Sequence, residues 1–246
     1  MSRFSKQKIL VTGATRGIGR AIAAQLLREG AQVHGSGTKQ SEERASAHPD
    51  LTGIHWQDAD FADPGSTQRF LACLREHGPF DGLVNNAGVN LIKPIDAISE
   101  DDYDFVHNID LRAPYLISRE AAAGMAAAGI DGRIVNIASI WSVITKPHRT
   151  LYSTAKAGLL GLTRSLASEC GPAGILVNAV SPGFVLTDLT RHSLSPEQAE
   201  KLANQVPLGK MAEPEDIAEI VCFLLSNDNR YLTGQNIVVD GGFSIV

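Results

Sequence analysis

Ser139, Tyr152 and Lys156 are the residues whose types and spacing could do chemistry together. Tyrosine and lysine stand four apart in Tyr152-Ser153-Thr154-Ala155-Lys156, so on a helix both side chains share one face. Exchanging a ketone with a secondary alcohol needs a group that protonates the developing alkoxide, or deprotonates the alcohol in reverse. A phenol serves if it is acidified: free phenols titrate near 10, and reaching neutrality asks for about 4 kcal/mol. An ammonium one turn away and a cationic nicotinamide could supply this, because an adjacent opposite charge shifts a pKa by about 1–3 units. A serine hydroxyl alongside, here Ser139 thirteen residues upstream of the tyrosine, would hold the substrate oxygen.

A second signal lies near the N-terminus, where an apolar run leads into Thr12-Gly13-Ala14-Thr15-Arg16-Gly17-Ile18-Gly19 and then a helical pattern. Glycines after a first strand allow a tight turn and let a pyrophosphate reach the amides of a helix N-terminus. The spacing is G-x-x-x-G-x-G, and no Gly-Lys-Ser/Thr follows, so a P-loop is excluded. An acid about 20 residues on would select NAD by holding the ribose 2′-hydroxyl. That place reads Gly35-Ser36-Gly37-Thr38-Lys39, with no acid before Glu42. Arg16, Ser36, Thr38 and Lys39 offer donors and positive charge to a 2′-phosphate, so NADP is expected in preference to NAD.

The elements that must position these groups alternate from end to end. Strand-like runs fall at Lys8–Thr12, Gln32–Ser36, Gly53–Trp56, Gly82–Asn85, Gly132–Ala138, Leu176–Val180 and Ile237–Val239, mostly without polar alternation, as expected of strands covered on both faces. Between them lie helical stretches. Ile18, Ile22 and Leu26 form one stripe, Tyr152–Ser168 and Pro214–Leu225 read as helices, and Ser99 and Ser195 read as N-caps. The pattern predicts an α/β protein: a single-domain Rossmann fold over residues 1–246, with a doubly wound, seven-stranded parallel sheet and helices on both faces. Loops at about 140–151 and 184–211 follow strand ends and should shape the substrate pocket.

Composition narrows the classes further. The chain has 246 residues, 43% apolar, and a net charge of −5, which excludes collagen-like and disordered classes and argues against nucleic-acid or membrane-surface binding. Cys73, Cys170 and Cys222 form no CxxC pair and sit among apolar residues, which suits packed thiols in a reducing, cytoplasmic compartment. The histidines show no metal-ligand spacing, so no metal is expected.

Taken together, these motifs resemble the short-chain dehydrogenase/reductase family along essentially the whole chain, most of all the 3-oxoacyl-carrier-protein reductase members. The resemblance carries Gly13, Thr15, Arg16, Gly17, Ile18 and Gly19 in the glycine turn, and Asp60-Phe61 where the family contacts adenine. It carries Asn85 and the cofactor-side residues Asn86, Ala87 and Gly88 after the fourth strand, and the catalytic Ser139, Tyr152 and Lys156, the last two also meeting the cofactor. Pro182, Gly183, Val185 and Thr187 resemble the segment that holds the nicotinamide carboxamide, and the ending Val239-Asp240-Gly241-Gly242 resembles that of homotetrameric members. One position departs: Asp110, in Asp110-Leu111-Arg112-Ala113-Pro114, stands where the family has a catalytic asparagine supporting a water relay to the lysine. Asn108 is two residues away, over half an α-helical turn, and should face elsewhere. Asp110 is therefore expected to keep the relay in weakened or pH-altered form.

The expected activity is NADP-dependent hydride transfer between a secondary alcohol and a ketone, either of a 3-oxoacyl substrate or of a small ketone. The alternative, a dinucleotide-binding sensor or structural subunit with weakened turnover, has only Asp110 behind it. The substrate pocket should draw on Ser139, Trp141, His148, Arg149, Tyr152 and Phe184, with Ile140, Val143, Val185, Leu189 and His192 nearby. His148 and Arg149 could meet an anionic group. An acidic carrier protein would need basic residues beside the mouth, and neither Ala126–Asp131 nor Cys170–Gly174 contains a lysine or arginine.

Overall fold

A computed structural model describes residues 2–38, 48–187, 190 and 195–246. Lys39, Glu42, Leu189 and His192 fall outside the described residues. Seven strands make one parallel sheet: β1 Lys8–Val11, β2 Gln32–Gly37, β3 His55–Asp58, β4 Gly82–Asn85, β5 Arg133–Ile137, β6 Leu176–Pro182 and β7 Asn236–Val239. Their order is β3-β2-β1-β4-β5-β6-β7. The chain winds outward from β1 to β3, then returns to lay β4 against the other side of β1. That reversal opens a crevice beyond the carboxyl ends of β1 and β4.

The helices α1 Gly17–Arg28 and α7 Pro214–Leu225 cover one face, packing Ile22, Leu26, Ile217 and Val221 against Ile9 and Val11 of β1. On the opposite face, α2 Pro64–His77 and α4 Ala113–Ala127 pack Phe70, Leu74, Ile117 and Met125 against Leu10, Leu83 and Ile134. Successive strand residues point to opposite faces, so a strand such as Ile9-Leu10-Val11 must be apolar throughout. Each fully buried side chain of this kind contributes about 1.5–3 kcal/mol.

Helix starts follow their local chemistry. Ser99 accepts from Asp102 N–H while the Asp102 carboxylate accepts from Ser99 N–H, opening α3 Glu100–His107 with a capping box. Ser195 and Gln198 repeat the device at α6 Pro196–Ala203. The helix α5 Thr150–Cys170 begins two residues before the expected Tyr152. The third strand also differs from expectation, starting at His55 rather than Gly53. Ile54 N–H bonds back to Leu51 and Gly53 takes φ +97, so these residues still belong to the turn.

His34 of β2 is buried, and both of its ring nitrogens lack a partner. It stacks on His55 of β3 at 4.8 Å and meets Phe80 edge-on at 5.1 Å, with His77 of α2 at 6.1 Å. Burial, followed by the nearby His55, Lys8 and His77 charges, lowers its pKa from 6.5 to about 4. The folded state thus prefers neutral His34, and that preference stabilises the fold fully above pH 6.5 and is lost as pH falls toward 4. His34→Phe should flatten the fall of the thermal midpoint over this window, measured by circular dichroism. An unchanged slope would contradict the assignment.

Candidate active site

The crevice between β1 and β4 opens into a cavity of about 600 Å³. Its wall includes the whole glycine turn from Gly13 to Gly19 except Ala14, with Ser36 and Thr38 after β2, Asp60 and Phe61 after β3, and Asn86 to Gly88 after β4. Thr187 closes it from the far side. The turn is held by side chains as well as by α1. Asn86 Nδ2 donates to the carbonyls of Thr12 and Gly13 at 2.9 and 3.0 Å, and Thr12 Oγ1 accepts from the amides of Asn86 and Ala87. A Cβ at position 19 would overlap Asn86 Nδ2 and the Gly13 carbonyl, so this crossing of turn and loop needs glycine there.

Ser36 is fully buried and its Oγ accepts from Gly13 N–H, bracing the turn while keeping its own proton for a second partner. Arg16 and Thr38 are exposed at the cavity edge. Gly37, His48, Ala59, Val89 and Ile109 also line it, none of which the sequence pattern singled out. Pro182, Gly183 and Val185 do not line it, although Thr187 two residues on does. These residues run from the end of β6 into a short bridge between Val185 and Ala212.

Beside the cavity, α5 brings Lys156 under Tyr152. The ammonium lies 5.6 Å from the phenol ring centre and donates to the carbonyl of Ile137, the last residue of β5, at 3.0 Å. Ser139 follows two residues later, and its Oγ accepts from Trp141 N–H at 3.2 Å, leaving the hydroxyl proton to donate elsewhere. A polar chain fixes this segment: Asn236 accepts from Ser181, Ser181 meets Ser142, and Ser142 donates to the Ser139 carbonyl. Behind it, Asn85 donates to both Ser118 and Asn136, and Asn136 to Thr163 of α5, tying β4, β5 and two helices together.

Asp110 is fully buried beside the lysine, with Oδ2 3.7 Å from Lys156 Nζ and Oδ1 accepting from Val89 N–H at 2.8 Å. Burial pushes its carboxyl above the ordinary 3.8, opposed by the Lys156 charge and the Val89 amide. What aims it there is a π-helical turn, Asn108–Arg112, where Ala113 N–H bonds to the Asn108 carbonyl five residues back. Spacing on a regular α-helix misses this turn. Pro114 was the available signal, since it has no N–H for the Asp110 carbonyl four residues earlier and its ring crowds that oxygen. Gly88 lies between the two charged groups: a Cβ there would stand 3.1 Å from Lys156 Nζ and 3.3 Å from Asp110 Oδ1.

The expected substrate residues divide. Trp141 is only 8% exposed, packed edge-on against Phe184 and Phe243 at 6.4 Å each, so its ring is largely covered. His148 is exposed in a left-handed conformation, φ +69. Arg149 is half-buried over the Trp141 ring. Among the described residues no cluster of three or more His, Cys, Asp or Glu could hold a metal, and no helix is long and apolar enough to cross a membrane. Cys222 is packed, its thiol pushed up to about 12 by burial, while Cys73 and Cys170 are part-exposed.

A glycine turn at a strand-order reversal, with a lysine-backed phenol at its edge, is the arrangement of a dinucleotide-dependent oxidoreductase. Comparison with known proteins agrees. Residues 13–244 match a family model described as "Enoyl-(Acyl carrier protein) reductase". The chain is 38% identical over 238 residues to L-xylulose reductase of Mus musculus, covering 96% of each. It is 37% identical over 246 residues to the 3-oxoacyl-[acyl-carrier-protein] reductase FabG of Escherichia coli K12, covering 99% of each. Among solved structures, a short chain dehydrogenase/reductase family protein superposes with TM-score 0.90 at 34% identity, covering 100% of both chains. A protein provisionally assigned as an NAD(P)-dependent gluconate 5-dehydrogenase of Beutenbergia cavernae, holding NADP at low occupancy, gives TM-score 0.90 at 35% identity over 98% of both. The chain belongs to the short-chain dehydrogenase/reductase family. It is an NAD(P)-dependent oxidoreductase acting on CH–OH groups.

Proposed function

We propose that the protein is an NADP-dependent reductase of a ketone, working reversibly on the matching secondary alcohol, with Tyr152 as proton donor and acceptor. The observation that carries this reading is the Lys156 ammonium, pinned by the Ile137 carbonyl beneath the Tyr152 ring at the edge of the glycine-turn cavity. The residues lining that cavity fit a dinucleotide: a helix N-terminus free of side chains at Gly17 and Gly19 for the pyrophosphate, and Asp60 and Phe61 for the adenine end. Pro182, Gly183, Val185 and Thr187 would meet the nicotinamide end. When bound, the dinucleotide supplies the hydride from C4 of its nicotinamide ring.

The chain's own residues do the rest. In reduction, Ser139 Oγ donates a hydrogen bond to the substrate oxygen and Tyr152 donates its proton to it. Lys156 holds the resulting phenolate by its charge. In oxidation the same phenolate takes the alcohol proton. The substrate would lie beside Ser139 and Tyr152, with Trp141, Phe184 and Arg149 proposed for the wall of its pocket and His148 for the rim.

A small ketone is taken as the substrate in preference to an acyl chain on an acidic carrier protein. The named activity of the mouse relative, a sugar reductase, supports the small-ketone reading. No observation favours a sensor without turnover, since Ser139, Tyr152 and Lys156 are all in place. A cytoplasmic homotetramer is proposed on the free thiols and on the exposed apolar C-terminus, where Ile245 and Val246 are 85% and 87% accessible.

Tyr152→Phe should lower kcat about 100- to 10,000-fold while leaving NADPH binding in place, read at 340 nm with a ketone panel. Turnover surviving intact would overturn the reading. For cofactor choice, Arg16→Ala should reduce kcat/KM for NADPH about tenfold with little effect on NADH; equal losses would remove Arg16 from 2′-phosphate recognition. Asp110 acts through Lys156 as a positioning residue whose negative charge offsets part of the lysine's. Asp110→Asn should therefore move the pH midpoint of alcohol oxidation about half to one unit lower. A profile that only scales, without moving, would assign Asp110 a purely structural role.

A further inference from the structure

Two cations lie against one indole ring, two residues after Ser139 in the chain. Lys146 Nζ lies 5.0 Å and the Arg149 guanidinium 5.4 Å from the Trp141 ring centre. Neither has a carboxylate within ion-pair distance among the described residues. Like charges held side by side repel, and here each raises the cost of protonating its neighbourhood: burial and then Arg149 hold Lys146 below its ordinary value. Arg149 is held by a hydrogen bond. Arg149 Nη1 donates to Asn90 Oδ1 at 2.8 Å, which fixes the plane of the fork, while Nε is buried with no acceptor. A buried donor without an acceptor asks for an explanation, and a fixed guanidinium with unused N–H groups matches an oxyanion.

Position decides which oxyanion. Arg149 stands at the N-terminus of α5 three residues before Tyr152, and Trp141 follows Ser139 by two residues, so the cations belong to the segments that carry both residues proposed to hold the reacting oxygen. Three residues of helix rise, ~4.5 Å, separate the backbone positions of Arg149 and Tyr152.

We propose that the substrate is a short ketone bearing an oxyanion, a carboxylate or phosphate monoester, held by Arg149 and Lys146 while its carbonyl lies between Ser139 and Tyr152. This deepens, and rests on, the reductase reading above. The ketone carbon takes the hydride of NADPH and its oxygen takes the Tyr152 proton. A hydroxy acid or hydroxy phosphate and NADP leave, and solvent returns the proton to the phenolate. Trp141, packed against Phe184 and Phe243, backs both cations.

The test compares matched ketones that differ only in charge, with NADPH oxidation followed at 340 nm. One pair is 4-oxopentanoate against 4-oxopentanamide, and the other is dihydroxyacetone phosphate against dihydroxyacetone. The charged member of at least one pair should be favoured by about tenfold or more in kcat/KM, chiefly through KM. Which pair shows the preference identifies the oxyanion. In the Arg149→Gln, Lys146→Gln double variant the ratio should fall to near one, with fluorescence of bound NADPH reporting an intact fold. Should that variant fail to bind NADPH, the exposed Lys146→Gln alone should still lower the ratio. Neutral members equal to or better than the charged ones, or a preference surviving the substitutions, overturns the oxyanion assignment. Failure to reduce any ketone, charged or neutral, instead overturns the reductase reading beneath it.

Discussion

A lysine ammonium that is almost wholly withdrawn from water is the constraint around which the rest of this structure is arranged. Lys156 is 3% exposed, and a buried charge is costly unless paired and hydrogen-bonded. Its partners come from three separate elements: the Ile137 carbonyl at the end of β5, the Asp110 carboxylate from a π-helical turn, and the Tyr152 ring one turn back on α5. Each must arrive within a few tenths of an ångström. The sheet supplies the first, and the Asn85–Asn136–Thr163 chain locks β4 and β5 to α5 so that the distance cannot drift. Gly88, with no side chain to separate lysine from aspartate, links this cluster to the cofactor-side loop.

The same economy joins the two halves of the site. Asn86 holds the glycine turn from one side while its neighbours Gly88 and Val89 face Lys156 and Asp110 from the other. A shift in the loop after β4 would therefore disturb cofactor cradle and proton donor together. That coupling gives a physical reason for a family architecture in which binding and chemistry share a loop at the strand-order reversal. In this chain the group that faces the lysine is the buried carboxyl of Asp110 rather than an amide.

Much of the fold could be read from the sequence because the strands are buried on both faces and hence uniformly apolar, with β1, β4 and α7 falling at or within a residue of expectation. The glycine turn, the Tyr152–Lys156 pair and the capping boxes at Ser99 and Ser195 were legible for the same kind of reason: each depends on neighbours in sequence. What escaped depends on departures from ideal geometry or on distant partners. The π-turn that swings Asp110 inward breaks α-helical periodicity, and only Pro114 hinted at it. The start of β3 slipped because Gly53 prolongs a turn. Trp141 could not be recognised as a covered wall, since Phe184 and Phe243, which close over it, are remote in the chain. Lys146 gained meaning only when the fold set it beside Arg149.

The central claim is that proton exchange at Tyr152 depends on the charge of the Lys156 ammonium held beneath its ring. The most direct measurement is the rate of alcohol oxidation as a function of pH in wild type and Lys156→Met, at saturating NADP. At pH 7 the variant should lose about 100-fold or more, and recover progressively toward pH 10, where a phenol ionises unaided. A loss of the same size at every pH would show that the lysine only builds the site, and would contradict the account.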